Sequence, residues 1–417
     1  MPRLRYDFVN ALSLAFDSIR AHKLRSFLTL LGVIIGVASV IMVGSAIEGL
    51  AVYAEQSTAK AFGSDSYLVA QIASAGHSTR KEVFEKMRRN KQFRLVDDRY
   101  LEGINGDTTL YSPYQQRSAD LKREGLICED SSVLGVSASL VEIRDLALVD
   151  GRFFTDQEER SRSAVVVIGD ETRTTLFPDG SSPLGKSIKI NGIDFIVVGV
   201  QEKLGSAFGR SQDKSAYIPI TVYNRLYGPG QSIAIFGRAK PGSGLSLQQS
   251  LDLTRVALRT RFHTRPGQAD NFDTLTPDAI RGFIDQLLAL VTAIVIPVTC
   301  ISLVVGGIVI MNIMLVSVTE RTREIGIRKA LGARRLDLML QILIEAVLMS
   351  CIGGAIGVAL GALVTTVISH VFEINMQITW PYVLLSLGVS SLVGIASGWY
   401  PASRAAKLDP IVALRSE

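Results

Sequence analysis

The sequence predicts an α-helical membrane protein with four transmembrane helices and a mixed α/β extracytoplasmic domain between spans 1 and 2. Three observations predict this architecture. Hydrophobic residues make up 47% of the 417 residues, and they concentrate near the N-terminus and in the last third. Four long windows there contain no Asp, Glu, Lys or Arg. The segment between the first two windows is charged and carries strand and turn patterns, so it predicts a globular domain.

Each of the four windows is long enough to cross a bilayer. A helix needs about 20 apolar residues to cross a hydrocarbon core of about 30 Å. A buried helix of a soluble protein can also lack charge, but four such windows in one chain favour membrane spans. The windows are Ser26–Ile47, Gln286–Thr319, Ala346–Phe372 and Ile374–Ser403.

Basic residues flank these windows unevenly, which predicts the orientation. Lys and Arg cluster before the first window, between the second and third, and after the fourth, whereas Ser369–Pro381 has none. By the positive-inside rule, both termini and the Arg321–Arg335 loop are expected in the cytoplasm of a bacterium, with Glu48–Asp285 outside its inner membrane. The net charge of +5 therefore indicates contact with membrane lipid rather than nucleic acid.

The domain organisation follows from these windows and from helix signals at their ends. Gly63 is a plausible C-terminal cap for the first long helix. Thr276 is a good N-cap and Pro277 suits a first helical position, so the second helix should reach roughly 60 Å, about twice the bilayer core. Pro297 could kink it. The surplus length predicts stalks on the outer side.

The predicted segments are these: 1–25, a cytoplasmic interfacial amphipathic helix with Leu4, Phe8, Leu12, Ala15 and Ile19 on one face; 26–62, transmembrane helix 1 and stalk; 63–275, the extracytoplasmic α/β domain; 276–319, stalk and transmembrane helix 2; 320–337, a cytoplasmic loop; 338–372 and 374–403, transmembrane helices 3 and 4; and 404–417, a cytoplasmic tail.

The outer segment has clear strand signals. Asn191-Gly192 predicts a hairpin turn, Leu245–Phe262 predicts a helix, and Thr79–Tyr100 is charged and helix-prone. Six Val- and Ile-rich runs predict strands: Tyr67–Ile72, Ala164–Ile168, Ser187–Ile190, Phe195–Val200, Ala216–Ile220 and Ile233–Arg238.

One motif looks catalytic but lacks the setting it needs. Gly180–Ser187 matches the P-loop pattern letter for letter, yet a P-loop requires a strand before it and a helix after it. Here a strand and hairpin are expected after Lys186, and Pro183 removes an amide donor. We therefore expect a turn before a hairpin and no nucleotide site.

Other signs of chemistry are weak. The four histidines have no metal-ligand spacing, only Cys128 of the three cysteines lies in the globular part, and no Gly-x-Ser-x-Gly occurs. We expect no catalytic residue, no metal and no cofactor. The charge-free windows also disfavour an ion-coupled transporter, which usually carries an ionisable relay inside the membrane.

Small residues recur at helical spacing in the membrane windows. They allow close approach of helix backbones, either within the chain or at a subunit interface. The spacing alone leaves both possibilities open. The glycines concerned are Gly32 and Gly36, then Gly353, Gly357 and Gly361, and lastly Gly394 and Gly398.

The cytoplasmic loop after the second window mixes both charges with an apolar set of Ile325, Ile327 and Leu331. By pattern alone it could be an orientation anchor or a short helix that docks on a partner. Its residues resemble a signature of the MacB/FtsX-like ABC transporter permeases. The same resemblance is found in Ala21–Val37, in Tyr400–Leu414 and in the outer Pro183–Gly192. The resemblance runs in order along essentially the whole chain.

The resemblance implies that this loop holds the coupling helix, which sits on the ATPase subunit. The residues that it would assign to the coupling are Glu320, Arg321, Arg323, Glu324, Ile325, Gly326, Arg328 and Lys329. The macrolide-exporting members carry an ATPase domain fused at the N-terminus. This sequence has none, so the resemblance predicts a transport subunit, not an enzyme, that works with a separate ABC ATPase.

The implied function is mechanotransmission by a permease dimer, homomeric or heteromeric, that moves its periplasmic domain to export an amphipathic antibiotic, peptide or lipoprotein. A periplasmic adaptor is a further candidate partner. Two alternatives stay open: an FtsX-like regulator of an external cell-wall hydrolase, and a membrane-anchored sensor or enzyme. A neighbouring gene for an ABC ATPase would favour the transporter.

Overall fold

A computed structural model describes residues 23–63, 65–76, 79–207, 210–228, 232–372, 376, 378–409 and 413. The predicted interfacial helix at residues 1–25 lies almost entirely outside the described residues. The chain forms two compact units. One comprises Ala54–Asp285, the outer domain, and the other comprises Met1–Tyr53 with Gln286–Glu417, the helical unit.

The first helix, α1, spans Lys23–Phe62. It ends where the sequence predicts, because Gly63 adopts a positive φ of 83° and its N–H donates to the carbonyl of Ala59 at 2.8 Å. A glycine at this position meets no Cβ penalty.

The outer domain is built on a mixed, mainly antiparallel ten-stranded sheet. Nine strands run in the order β12-β1-β11-β2-β3-β10-β5-β7-β4, and β6 pairs with β2 and β7. A separate ribbon consists of β8 and β9. The strands are β1 Ser66–Ala70, β2 Thr109–Arg123, β3 Leu126–Val136, β4 Leu148–Gly151, β5 Val165–Ile168, β6 Ser187–Ile190, β7 Ile193–Gln201, β8 Ser206–Ala207, β9 Arg210–Ser211, β10 Ser215–Pro219, β11 Ala234–Ala239 and β12 Asp273–Leu275.

All six predicted strands are present, as β1, β5, β6, β7, β10 and β11. The predicted hairpin turn joins β6 to β7, with Asn191 at φ 47° and Gly192 at φ 84°. These paired positive values belong to the turn type that Asn-Gly favours. The long hairpin of β2 and β3 is absent from the sequence prediction.

Seven helices accompany the sheet in the described part of this domain. The predicted helix Leu245–Phe262 is confirmed as α8, and Ser246 caps it by accepting the Gln249 N–H. The charged, helix-prone stretch Thr79–Tyr100 is largely helical: it contains α2 and the first half of α3. The helices are α2 Arg80–Arg89, α3 Leu95–Asn105, α4 Leu140–Ile143, α5 Asp156–Arg160, α6 Asp170–Leu176, α7 Ile220–Tyr227 and α8 Leu247–Arg261.

The P-loop match has the reverse of the order that a phosphate loop requires. Helix α6 precedes it and strand β6 follows it. Lys186 donates its backbone N–H to the Pro183 carbonyl at 3.1 Å and its ammonium to the Ser181 hydroxyl at 2.6 Å. The residues therefore form a turn that leads into the hairpin, as the sequence predicts.

The helical unit continues with α9 Pro277–Glu320, α10 Thr322–Ala330, α11 Arg335–Phe372 and α12 Trp380–Lys407. The Thr276 hydroxyl accepts the Ala279 N–H at 3.2 Å, which confirms the predicted cap of α9. Helix α12 begins at Trp380 rather than at Ile374, because Pro381 suits the first turn of a helix and not its interior.

Within the described residues, four helices are long and apolar enough to cross a membrane: α1, α9, α11 and α12. Their apolar spans are Leu30–Lys60, Pro277–Glu320, Arg335–Val371 and Trp380–Lys407. Helix α9, at 44 residues, is about 66 Å long at about 1.5 Å per residue.

The seven predicted packing glycines all face neighbouring helices of the same chain. A Cβ added at Gly32 would lie 2.8 Å from the Gly306 Cα of α9, so the two backbones meet directly. The glycines of α11 face α1, and those of α12 face α11. Their nearest partners are Leu303 for Gly36, Leu30 for Gly353, Ile34 for Gly357, Ile41 for Gly361, Ser350 for Gly394 and Ala346 for Gly398.

We predict that Gly32→Ala lowers the stability of the helical unit by about 1–3 kcal/mol, because the new methyl group meets backbone that cannot rotate away. Gly388→Ala is the matched control, since a Cβ there meets nothing within 4 Å and alanine favours helix over glycine. Thermal unfolding of the purified chain in detergent measures both. Equal melting temperatures for the two variants would mean that α1 and α9 do not touch at Gly32.

Candidate coupling helix

The connection between the two long helices α9 and α11 is the short helix α10. Arg321 is its N-cap residue. The helix ends at a Schellman motif, in which the N–H of Gly332 donates to Lys329 and that of Ala333 donates to Arg328, both at 3.1 Å. Gly332 has a φ of 95°, which explains why glycine stands there. The motif sets the direction in which the chain enters α11.

One face of α10 is buried within the chain. Ile325 is 7% exposed and belongs to a core cluster with Val318 of α9, Leu338 of α11 and Ala405 of α12. A Cβ added to Gly326 would lie 2.7 Å from the Ala413 Cβ near the C-terminus. Helix α10 therefore packs on three helices and on the C-terminal segment.

Basic side chains add polar ties to the same neighbours. Lys329 donates its ammonium to the carbonyl of Ala406 at 3.0 Å and to that of Leu408. These carbonyls lie at the C-terminal end of α12, where a cation is favoured by the helix dipole. Arg328 donates to Gln341 Oε1 at 3.1 Å, and Arg321 Nη1 lies 3.7 Å from Glu345 Oε1.

The opposite face of α10 is exposed. It presents Arg323, Glu324 and Ile327, and the exposed surface continues to Leu331, which is 83% exposed, and back to Glu320. The structure thus divides the predicted apolar set, because Ile325 faces inward whereas Ile327 and Leu331 face outward. Among the predicted coupling residues, Ile325, Gly326, Arg328 and Lys329 hold the helix in place.

Sequence reasoning missed four residues of this site: Gly332, Gln341, Glu345 and Ala413. Gly332 carried a usable signal, since glycine just after basic residues is typical of a helix C-terminus. The other three lie on elements that only the fold brings to α10.

In the outer domain, two adjacent glutamates of α5 have opposite electrostatic environments. Arg152 donates two hydrogen bonds to Glu158, at 2.7 and 2.8 Å, and this lowers the pKa of Glu158 to about 2. Burial raises the pKa of Glu159 to about 7, and the nearby carboxylates of Asp156 and Glu102 add to the increase. Within the described residues, no group of His, Cys, Asp or Glu is arranged to hold a metal ion.

Comparison with known proteins identifies the family. The model of the MacB-like periplasmic core domain matches residues 26–252, and that of the FtsX-like permease C-terminal domain matches residues 287–410. The fold and these matches define an ABC transporter permease with transmembrane helices and a periplasmic domain. The chain belongs to the MacB/FtsX-like permease family, and it is therefore a multi-pass protein of the bacterial inner membrane.

Curated relatives are similar along nearly the whole chain. The macrolide export ATP-binding/permease proteins MacB of Bdellovibrio bacteriovorus and Neisseria gonorrhoeae are 35% and 36% identical to it, over 99% of the chain. The chain spans 62% of the length of either relative. The chain is also similar to the crystal structure of the periplasmic region of MacB from Actinobacillus actinomycetemcomitans. The match covers 54% of this chain and 95% of the crystallised chain, with 16% sequence identity and a TM-score of 0.42.

We predict that Lys329→Met loosens the C-terminal end of α12. Methionine keeps most of the side-chain stem, but the two hydrogen bonds from the ammonium to the carbonyls at this end are lost, at a cost of about 1–3 kcal/mol. Hydrogen exchange at residues 402–409 should become faster. Lys407→Met is the matched control, because it removes one charge from an exposed position on the last turn of α12. Unchanged exchange in Lys329→Met would show that the ammonium does not cap α12.

We further predict opposite pH effects for Glu158→Gln and Glu159→Gln. Ionised Glu158 stabilises the fold above its unfolded pKa, and this is lost as pH falls toward about 2, so Glu158→Gln is destabilising at pH 7. For Glu159 the folded pKa is raised, so the parent loses stability as pH rises from about 4.3 to about 7.

Glu159→Gln cannot ionise and still offers an oxygen to the Ala138 N–H. It should match the parent at pH 4 and exceed it at pH 8 by about 1–2 kcal/mol. Thermal unfolding of both variants between pH 2 and 8 measures this, because the contribution of Glu158 is lost only below about pH 4.3. If the stability of both variants changed with pH in parallel with that of the parent, the opposite pKa shifts of the two glutamates would be contradicted.

Proposed function

We propose that this chain is the permease of an ABC transporter of the mechanotransmission type, and that α10 is its coupling helix. The observation that carries the proposal is the division of α10 into two faces. The inner face is held by α9, α11, α12 and Ala413. The outer face presents two exposed aliphatic side chains beside charges of both signs, a combination suited to a protein partner.

The proposed partner at this face is an ABC ATPase in the cytoplasm. Its motion on ATP binding would displace α10, and the displacement would pass into the helices that α10 contacts. Helices α1 and α9 are unbroken along 40 and 44 residues, and each contributes residues to both units. Backbone hydrogen bonds stiffen both helices along their length, interrupted in α9 where Pro297 has no N–H to donate, so these two elements are suited to carry a displacement to the outer domain.

The remaining partners follow from the same proposal. A second permease copy, identical or homologous, would complete a dimer with two ATPase subunits, and the basic flanks of the spans would contact lipid headgroups. Both termini and α10 would be cytoplasmic, and a periplasmic adaptor could engage the outer domain. The names of the MacB relatives and the match to their periplasmic core domain favour export of an amphipathic compound over regulation of a cell-wall hydrolase.

The test replaces the exposed aliphatic residues with serine in the double variant Ile327→Ser/Leu331→Ser. Each buried aliphatic side chain is worth about 1.5–3 kcal/mol. The two together are worth about 3–6 kcal/mol, so binding of the ATPase should weaken by at least about one hundredfold. Val149→Ser is the matched control, because Val149 is an aliphatic residue of the outer domain whose exposure lies between those of Ile327 and Leu331. Nanodisc-embedded permease and purified ATPase give the affinity.

Two further measurements accompany the affinity. Cysteine at Glu324, in a background without the three native cysteines, should crosslink to the ATPase and should resist labelling from outside in spheroplasts. Cysteine at Asp130 should label from outside. Parental affinity in the double variant, or labelling of position 324 from outside, would leave α10 as no more than a structural connection.

A further inference from the structure

The C-terminal end of α1 is packed into the outer domain. Ser57 and Thr58, near this end, are 7% and 2% exposed. Phe62, the last residue of the helix, packs on a core cluster of the domain, and its ring centre lies 5.7 Å from that of Phe236 in β11. Ser66, the first residue of β1, donates its hydroxyl to the Phe62 carbonyl. The helix therefore ends within the domain and against its core.

Gly63 brings the backbone at the end of α1 directly against the short helix α4. A Cβ added at Gly63 would lie 2.8 Å from the Ile143 carbonyl oxygen and 3.0 Å from the Arg144 Cα. Helix α4 is itself fixed in the core, because Leu140 and Ile143 are fully buried. Arg144 is its C-cap residue, and the Arg144 N–H donates to the Leu140 carbonyl at 2.9 Å. The backbone that carries the Arg144 side chain is therefore held on the sheet.

The side chain of Arg144 reaches from this position to the last turn of α1. Its Nη2 donates to the Lys60 carbonyl at 3.3 Å, and its guanidinium lies 6.0 Å from the ring centre of Phe236. Carbonyls in the last turn of a helix lack partners within the helix, and the helix dipole favours a cation there. The Lys60 ammonium donates in turn to the Leu204 carbonyl at 3.2 Å. The end of α1 is thus tied to two separate stretches of the domain.

Arg144 is a buried cation without a carboxylate partner. The residue is 7% exposed, and within the part of the chain that the structure describes it forms no ion pair. The adjacent Asp145 pairs with Arg238 at 2.5 Å. The Arg144 Nε is buried and has no acceptor among the same described residues. A buried charge is costly unless it is compensated, and the partial negative charge at the end of α1 provides the compensation.

We propose that Arg144 fastens the outer end of α1 to the outer domain, so that the helix and the domain move as one body. The use of this joint in transport rests on the proposed function, in which α1 carries a displacement outward. A loose joint would let α1 move while the domain stayed in place. Arg144 is then a positioning residue, because it acts through α1 and not on a substrate.

Arg123 offers a matched control in the same domain. It donates to the carbonyl of Leu176, the last residue of α6, at 3.0 Å, and its guanidinium lies 4.2 Å from the ring centre of Phe177. Its ion pair with the exposed Glu124 adds little. Arg123 therefore caps a helix end as Arg144 does, but α6 lies wholly within the outer domain.

Hydrogen exchange of the full chain in nanodiscs, without an ATPase, tests the joint. In Arg144→Met the Gly63 N–H, which donates to the Ala59 carbonyl, should exchange about tenfold faster, because a hydrogen bond from a charged donor is lost nearby. Arg144→Lys keeps the cation and should fall between Arg144→Met and the parent. Arg123→Met should speed exchange at Phe177 and leave it unchanged at Gly63.

A distance measurement separates the joint from a general loss of stability. Spin labels at Leu50 of α1 and Val256 of α8, both exposed, are placed in the background without native cysteines. The distance distribution should be narrow in the parent and in Arg123→Met, and broader in Arg144→Met. If Arg144→Met does not fold, Arg144→Lys takes its place in both measurements. The proposal is overturned if both arginine sites broaden the distribution equally, or if the Arg144 variant matches the parent in distribution and in Gly63 exchange.

Addition of the ATPase and ATP separates failure of the joint from failure of the proposed function. Distances between two permease copies labelled at position 50 should change with ATP in the parent and in Arg144→Met. Distances at position 256 should change in the parent and in Arg123→Met but not in Arg144→Met. A parental response at position 256 in Arg144→Met would overturn the role of Arg144. No response at position 50 in the parent would contradict the proposed function and leave the joint, measured without an ATPase, in place.

Discussion

Close approach of helix backbones is the constraint on which the helical unit depends. Helices in lipid satisfy their own hydrogen bonds and gain little from burying apolar surface against one another, so their association rests on van der Waals contact. Here α1 makes that contact on two sides. It meets α9 at Gly32 and Gly306, and it meets α11 along Gly353, Gly357 and Gly361. With its neighbours packed against backbone on both sides, α1 has no room to shift alone.

This packing explains how a nine-residue helix could influence a much larger assembly. Helix α10 is joined to the same bundle by Ile325 in the core, by Lys329 at the end of α12 and by Arg321 near Glu345 of α11. Close-packed interiors transmit displacement instead of absorbing it. A connection that served only to orient the chain would need basic charge but no such set of directed contacts.

The sequence predicted those parts of the fold in which local signals agree with the final structure. The caps at Gly63 and Thr276, the Asn191-Gly192 turn and the Val- and Ile-rich strands are of this kind. The hairpin of β2 and β3 was not predictable in the same way. The far half of β2 is exposed and polar, with no apolar alternation, and its near half holds Pro113 opposite Ile235 of β11, in a position that normally argues against a paired strand.

The site shows the same limit at longer range. The pattern of Ile325, Ile327 and Leu331 cannot reveal which of them faces inward, because the answer depends on Leu338 and Ala405, which lie farther along the chain. The proposal that this segment couples to an ATPase came from its resemblance to a family, whereas its division into a held face and an open face required the structure.

Lys186 shows what separates a motif from a binding site. Lys186 matches a phosphate-binding pattern, yet its ammonium already donates to Ser181 and lies 5.6 Å from the ring of Phe177. An anion gains most where the protein has assembled charge and donors that it does not satisfy itself. By that criterion the loop that resembles a P-loop is a turn of the outer domain and not a phosphate site, because its lysine is already satisfied within the turn.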